Sequence, residues 1–448
     1  MRGKVAFNRL VFLGIARLRG KLTSNRAELL RFGDFAGPTD SLEVFTASGA
    51  RFGSWPYQFD PEHAQTPARG GGFGAQLAAD INGDGKKEVI ALSQNYFLQE
   101  PAIYVWSYDG RLAPGYPIEL PDSHWDVTQS GIPPVLADID GDGQFEIGYF
   151  KGQGNCLMND GQFVYKKLDG TTLPGWPVSF RNQAGGNASL ADLDGDSALE
   201  TIFATGGGCS NHEYTIEAFR NDGTVVAGFP VFVNEPMRTQ LAVADIDGDG
   251  LPEIMAVTGS GQVHAVSQTG QELEGFPLSE EGLGITPSPI AACPALGDVD
   301  GDGKTELVAT TQGGDVLVWD MPGIVAKNRA DWPMSMHDSR HSMELNIAPR
   351  SRAILRLLVR TPQLYCAEVT LKNSDTRTIN AWEVDFDLRQ SSMLFDFGAT
   401  FTHAGSRYSA KPLRHDSQIE PGKQVNFGFC AKKAGRDWMP VITGTSVR

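Results

Sequence analysis

Five copies of one acidic nonapeptide constrain this chain more than any other feature. DINGDGKKE, DIDGDGQFE, DLDGDSALE, DIDGDGLPE and DVDGDGKTE begin at Asp80, Asp138, Asp192, Asp245 and Asp298, at intervals of 58, 54, 53 and 53 residues. A second motif of glycine or serine, an aromatic and proline falls between them, ending at Pro56, Pro117, Pro177, Pro230 and Pro277, with a variant DWP ending at Pro333. Each nonapeptide follows a short apolar stretch such as QLAA, PVLA or LAVA and leads into a β-rich run such as VIALS or IMAVTG. An alternating run ending in Asp-Gly, Thr-Gly or Pro-Gly comes next. A unit of about 55 residues with three or four short strands cannot bury both of its faces alone, so its neighbours must stack on it. Radial stacking does this while leaving only short edges.

The pattern therefore predicts an all-β chain: a β-propeller over 27–345, followed by a small β-sandwich over 352–448. Six blades are visible, and a seventh upstream is left open. The segment EVFTASGARFGSWP matches YVWSYDGRLAPGYP position by position, which makes 27–60 the second half of a blade whose acidic half is degenerate, with Asp34 alone recognisable. Residues 1–26 start basic, but Arg9 and Arg17 cut the apolar stretch short, so they read as a weak signal-peptide candidate or a truncated blade.

A hard divalent cation such as calcium takes six to eight oxygen ligands, and a short loop can supply most of them from alternate positions. The nonapeptide offers side chains at positions 1, 3, 5 and 9 and a carbonyl at position 7, with glycine at position 6 for the tight turn. The five candidate sites are Asp80, Asn82, Asp84, Lys86 and Glu88; Asp138, Asp140, Asp142, Gln144 and Glu146; Asp192, Asp194, Asp196, Ala198 and Glu200; Asp245, Asp247, Asp249, Leu251 and Glu253; and Asp298, Asp300, Asp302, Lys304 and Glu306. Lys86, Gln144, Ala198, Leu251 and Lys304 contribute only their carbonyls. Ser197 replaces the glycine of the third loop, which predicts the weakest site there. These loops hold nineteen carboxylates against a formal net charge of −16, so everything apart from those carboxylates sums to +3. About five calcium ions would relieve that clustered repulsion. An EF-hand loop also opens DxDxDG, but it needs twelve residues and flanking helices, whereas here the last ligand comes at position 9 and strands follow.

Net acidity excludes nucleic acid and anionic membranes as partners. No run of 18 uninterrupted apolar residues exists, so no spanning helix is expected.

With these motifs in place, the region resembles FG-GAP repeats, the calcium-bearing blades of integrin α-subunit propellers and of many bacterial secreted proteins. DWPMSMHDSRHS is similar to the end of bacterial propellers of this type. The resemblance implies that the ions brace the loops of the blades and that the protein works outside the cell or at its surface, where calcium is abundant.

Beyond residue 352 the period stops, and AILRLLV, CAEVTLKN, AWEVDFDL, GATFTHA and QVNFGFCA read as sandwich strands. AEVTLKNSDTRTINAWEVDFDL, GATFTHAG and IEPGKQVNFGF resemble family 2 carbohydrate-binding modules. That family stacks exposed aromatics on sugar rings, and the resemblance places Thr361, Phe397 and His415 at its three binding positions, so Phe397 and His415 are the candidate carbohydrate residues. Trp382 matches the structural core tryptophan instead. Of the five cysteines, Cys156 with Cys209 or Cys366 with Cys430 could form a disulfide in an oxidising compartment, leaving Cys293 over; five unpaired thiols are the alternative.

No catalytic motif emerges. His337 and His341 have zinc-like spacing but no glutamate follows the first, and GGGFG at 70–74 and GGG at 206–208 lack the lysine and helix of a phosphate loop. The expectation is a secreted or surface, non-catalytic protein that binds a polysaccharide or glycoprotein ligand. The alternatives are a propeller-type polysaccharide lyase and an adhesion or structural spacer.

Overall fold

The computed structural model describes residues 28–32, 41–46, 50, 57–58, 77–82, 86–92, 102–119, 134–151, 160–182, 184–196, 198–206, 213–237, 239–278, 293–300, 304–312, 315–324, 332, 344–345, 353–373, 378–413, 418–434 and 440–447. All regular structure among the described residues is β-strand.

Six antiparallel sheets follow one another along the propeller. The leading sheet holds β1 (Glu28–Phe32), β2 (Ser41–Thr46) and β3 (Tyr57–Gln58), and the next holds β4 (Leu77–Ala79), β5 (Glu88–Leu92), β6 (Ala102–Trp106) and β7 (Ile118–Glu119). The third comprises β8 (Val135–Ala137), β9 (Glu146–Lys151), β10 (Asp160–Lys167) and β11 (Val178–Arg181), and the fourth β12 (Ser189–Ala191), β13 (Glu200–Thr205), β14 (Tyr214–Phe219) and β15 (Val231–Val233). The fifth is β16 (Ala242–Ala244), β17 (Glu253–Val257) and β18 (Val263–Val266); the sixth is β19 (Ala295–Gly297), β20 (Lys304–Thr310) and β21 (Val316–Ile324).

Every acidic nonapeptide closes the hairpin between the first two strands of its sheet. The register is the same each time: Ala79 pairs with Glu88, Ala137 with Glu146, Ala191 with Glu200, Ala244 with Glu253 and Gly297 with Glu306. The strands entering the loops lie innermost. Ser189 donates to the Leu241 carbonyl at 2.7 Å and the Gln240 amide to the Ala188 carbonyl at 2.6 Å, tying two neighbouring inner strands.

The glycine–aromatic–proline motif serves the contact between blades. The Tyr116 hydroxyl donates to the Leu168 carbonyl at 2.9 Å and the Trp176 indole to the Asn221 carbonyl at 3.1 Å, each carbonyl lying in the turn of the following blade. That turn approaches so closely that a Cβ on Gly175 would collide with the Asp222 carbonyl. Between the third and fourth sheets the layer is aromatic: Phe163 stacks on Phe203 at 5.8 Å, and the Tyr165 hydroxyl meets Thr201 at 2.9 Å.

Two inner edges are covered by chain from beyond the sixth sheet. Trp332, fully buried, exchanges two backbone hydrogen bonds with Val243, and β22 (Glu344–Leu345) runs parallel to β8.

The C-terminal unit is a sandwich of β23 (Ala353–Arg360), β24 (Leu364–Lys372), β25 (Trp382–Asp387), β26 (Ser392–Phe397), β27 (Thr400–Ala404), β28 (Arg407–Lys411), β29 (Gln424–Lys432) and β30 (Val441–Val447). One sheet has the order β23-β24-β29-β26 and the other β27-β28-β25-β30. Burial along β24 alternates strictly, sending Tyr365, Ala367, Val369 and Leu371 inward, as a sheet with one buried face requires. Trp382 is buried and stacks on Phe427 at 5.3 Å, in the core as the sequence implied.

Candidate functional site

The loops organise themselves with their own backbone. In all five, the amide of position 2 donates to the closing glutamate: Ile81 to Glu88 at 3.2 Å, Ile139 to Glu146 at 3.0 Å, Leu193 to Glu200 at 2.8 Å, Ile246 to Glu253 at 2.8 Å and Val299 to Glu306 at 2.6 Å. The position 5 amides of Asp142, Asp196 and Asp249 donate to the position 3 carboxylates, and those of Gln144, Ala198 and Leu251 at position 7 donate to position 5. Positions 4 and 6 adopt left-handed backbone where described, at Gly141, Gly143, Gly195, Gly248 and Gly250, a conformation that favours glycine. Ser197, Asp84 and Asp302 lie outside the described residues, as do Asp34, Cys156, Cys209, His337, His341 and His415.

This folding brings carboxylate oxygens to one point. Asp138, Asp140 and Glu146; Asp192, Asp194 and Glu200; Asp245, Asp247 and Glu253; and Asp298, Asp300 and Glu306 each place ligand atoms within 4.8 Å of one another. In the second loop the fully buried Glu146 keeps Oε1 without a hydrogen-bond partner, and Asp138 Oδ1 is likewise buried and unmatched. An all-oxygen, anionic donor set with orphaned buried oxygens fits a hard divalent cation such as calcium.

Electrostatics point the same way. Burial, then the neighbouring carboxylates, push Glu146 up to about 7 and Glu200 up to about 9. Asp247 is raised to about 6 by burial and Asp245, and Glu253 is raised well above its ordinary range for the same reasons. A bound cation would remove that penalty by pairing the charges.

The loops differ in what faces them. Lys167, directly across from Glu146, sets its ammonium 2.7 Å from both Asp140 and Asp142; its hydrogen bond holds the Asp142 carboxyl below its ordinary value. Arg220 occupies the same place in the next blade, 2.9 Å from Asp194. The equivalence is set by one turn, in which Ser107, Lys167, Arg220 and Ser267 each donate to the carbonyl four residues on, at 2.8–2.9 Å. The fourth loop thus has neutral Ser267 there, and the fifth has Asp320 across from Glu306. Cover differs too: Asp298 and Asp300 are exposed, whereas Asp245 and Glu253 are buried.

On the sandwich, the outward face of the β23-β24-β29-β26 sheet carries a second candidate site. Phe397 pairs with Gly428 and Phe395 with Cys430, and Cys430 pairs with Cys366, to which it is disulfide-bonded. A Cβ on Gly428 would collide with the Phe397 ring, so the glycine is what lets that ring lie over the sheet. Phe395 and Phe397 are 59% and 41% exposed. Phe395 was not among the residues singled out from the sequence; its two-residue spacing from Phe397 on a strand was the available signal. Thr361 sits in the turn between β23 and β24, where its hydroxyl is engaged with the Leu364 carbonyl at 3.1 Å. Cys293 is a free thiol whose pKa burial pushes up.

The fold and its two sites define a β-propeller with repeated acidic hairpin loops and an appended glycan-module-like sandwich. Residues 80–149 and 245–309 match the FG-GAP-like repeat, and residues 362–446 match the cellulose binding domain, so the chain carries both. Exoglucanase B of Cellulomonas fimi is 31% identical over 77 residues, which is 17% of this chain and 7% of that enzyme. Among solved structures, the chitin-binding domain of Chi18aC from Streptomyces coelicolor is 22% identical, covering 21% of this chain and 88% of that one, with a TM-score of 0.18. The V. cholerae biofilm matrix protein Bap1 is 13% identical over 97% of this chain and 68% of its own, with a TM-score of 0.41. The Dos1 propeller is 10% identical over 66% and 64%, at 0.39.

Proposed function

We propose that this protein is a calcium-braced propeller that holds out a polysaccharide-binding sandwich, acts outside the cell or at its surface, and performs no catalysis itself. The observation that carries the reading is the pair Phe395 and Phe397, exposed on one sheet face of a domain that matches the cellulose binding domain. Exposed aromatic rings stack on the apolar faces of sugar rings, hiding both from water. The Cys366–Cys430 disulfide ties the two strands beneath them, and Gly428 makes room for the Phe397 ring. In the propeller, Asp138, Asp140 and Glu146 and their counterparts would hold calcium, with the position 5 carboxylates such as Asp142 as further ligands; the ion supplies the positive charge that the clustered carboxylates lack.

Retention of the full chain on insoluble chitin or cellulose, without release of soluble or ultraviolet-absorbing products, is the expected outcome. Passage of the protein through both polysaccharides would overturn the proposal, and turnover of a pectic polymer would replace it with a lyase.

A further inference from the structure

The fourth loop is covered by the sandwich. The Leu355 amide of β23 donates to the Asp249 carbonyl at 2.7 Å, and the Ile442 amide of β30 donates to the Gly248 carbonyl at 3.2 Å. Both donors belong to buried residues. The approach is backbone to backbone, since a Cβ on Gly250 would collide with the Ala353 carbonyl; the third loop touches the same strand where Gly195 meets Ile354. Strands β23 and β30 are edge strands of their two sheets, and β26, which bears Phe395 and Phe397, is the opposite edge of the first.

We propose that the fourth loop is a cation-locked joint: with calcium bound it presents the Gly248 and Asp249 carbonyls in the geometry that docks the sandwich, and without calcium the sandwich is released. The physical reason is that the same loop residues serve both purposes. Gly248 and Asp249 occupy positions 4 and 5, between the ligand side chains of Asp247 and Glu253, so a cation that draws the carboxylates inward leaves the two carbonyls pointing out. Removing it leaves closely packed like charges in a covered site, and the loop relieves them by opening. Opening deprives two buried N–H groups of their acceptors, which costs enough to undock the domain. The Phe395 and Phe397 face is therefore held at a fixed orientation, on the far side from the joint, only while the ion is bound. This inference rests on the calcium reading proposed above.

Hydrogen–deuterium exchange of the full chain tests it through the segments containing Leu355 and Ile442, with calcorimetric calcium titration run in parallel. Exchange at both segments should be slow in calcium and rise at least tenfold in chelator, and D247N should reproduce that rise in calcium, whereas D140N in the exposed second loop should not. If D247N proves too unstable to purify, the comparison of wild type and D140N with and without chelator still decides the matter. Calcium binding with unchanged exchange at Leu355 and Ile442 would overturn the joint and leave the calcium reading intact. No heat of calcium binding would overturn both.

Discussion

Truncating Phe395 to alanine removes the more exposed half of the proposed sugar platform, and its effect can be sized from the structure. A phenylalanine exposes about 200 Å² in full, so 59% and 41% exposure correspond to roughly 120 and 80 Å² available to a ligand. A sugar chain lying across one face would cover about half of that, and at roughly 25 cal/mol per Å² the two rings together supply about 2.5 kcal/mol. Each ring then contributes a little over 1 kcal/mol, so F395A or F397A should raise Kd about tenfold and the double variant by somewhat less than a hundredfold. Depletion from solution over increasing amounts of insoluble chitin and cellulose would measure this. F232A, which removes an exposed phenylalanine of the propeller, should change nothing in the same assay. F395A and F232A should leave the melting temperature close to that of the wild type, whereas F397A, whose ring packs over Gly428, should lower it slightly. A double variant that binds as the wild type does would refute the platform.

Chelation should lower the melting temperature seen by calorimetry, because an ion bound only by the folded state stabilises it by about 2.7 kcal/mol per site at a hundredfold excess over Kd. Replacing Lys167 with serine should tighten calcium binding at the second loop, since its ammonium competes for Asp140 and Asp142; D320N should weaken the fifth, and a per-site titration would register both changes. Glu217, buried with the Thr215 hydroxyl donating to it at 2.7 Å, has its pKa raised chiefly by burial. Its folded value exceeds its unfolded one, so it subtracts stability as pH rises from the ordinary carboxylate range through the raised value; E217Q should be more stable than wild type at neutral pH and equal to it near pH 4, by denaturant melts. W382A should cost about 3–5 kcal/mol in the sandwich core and abolish polysaccharide retention, while a separate propeller transition persists in the calorimeter.

The repeat architecture and the carboxylate clusters were legible in the residues because they are local. A nonapeptide that carries its own glycines and its own amide-to-carboxylate bonds folds the same way wherever a hairpin presents it, so spacing indicated positions 1, 3 and 9, whose oxygens meet, together with position 5, which is not among the gathered atoms. The second motif was visible as a recurrence, but its purpose was not, since the carbonyl that Trp176 reaches lies 45 residues onward in another blade. Cys366 and Cys430 were one of two candidate pairs, and antiparallel register, which sequence does not specify, set them side by side.

What the sequence determined by itself, then, was the number and residue pattern of the loops and the β class. Only the tertiary structure decided which loop is covered by the sandwich, which is faced by Lys167 or Arg220, which inner edges Trp332 and β22 occupy, and that Phe395 shares a face with Phe397. The physical reason is range. Hydrogen bonds inside nine residues are written in those nine residues, whereas burial and cross-strand charge depend on partners brought from tens to hundreds of positions away.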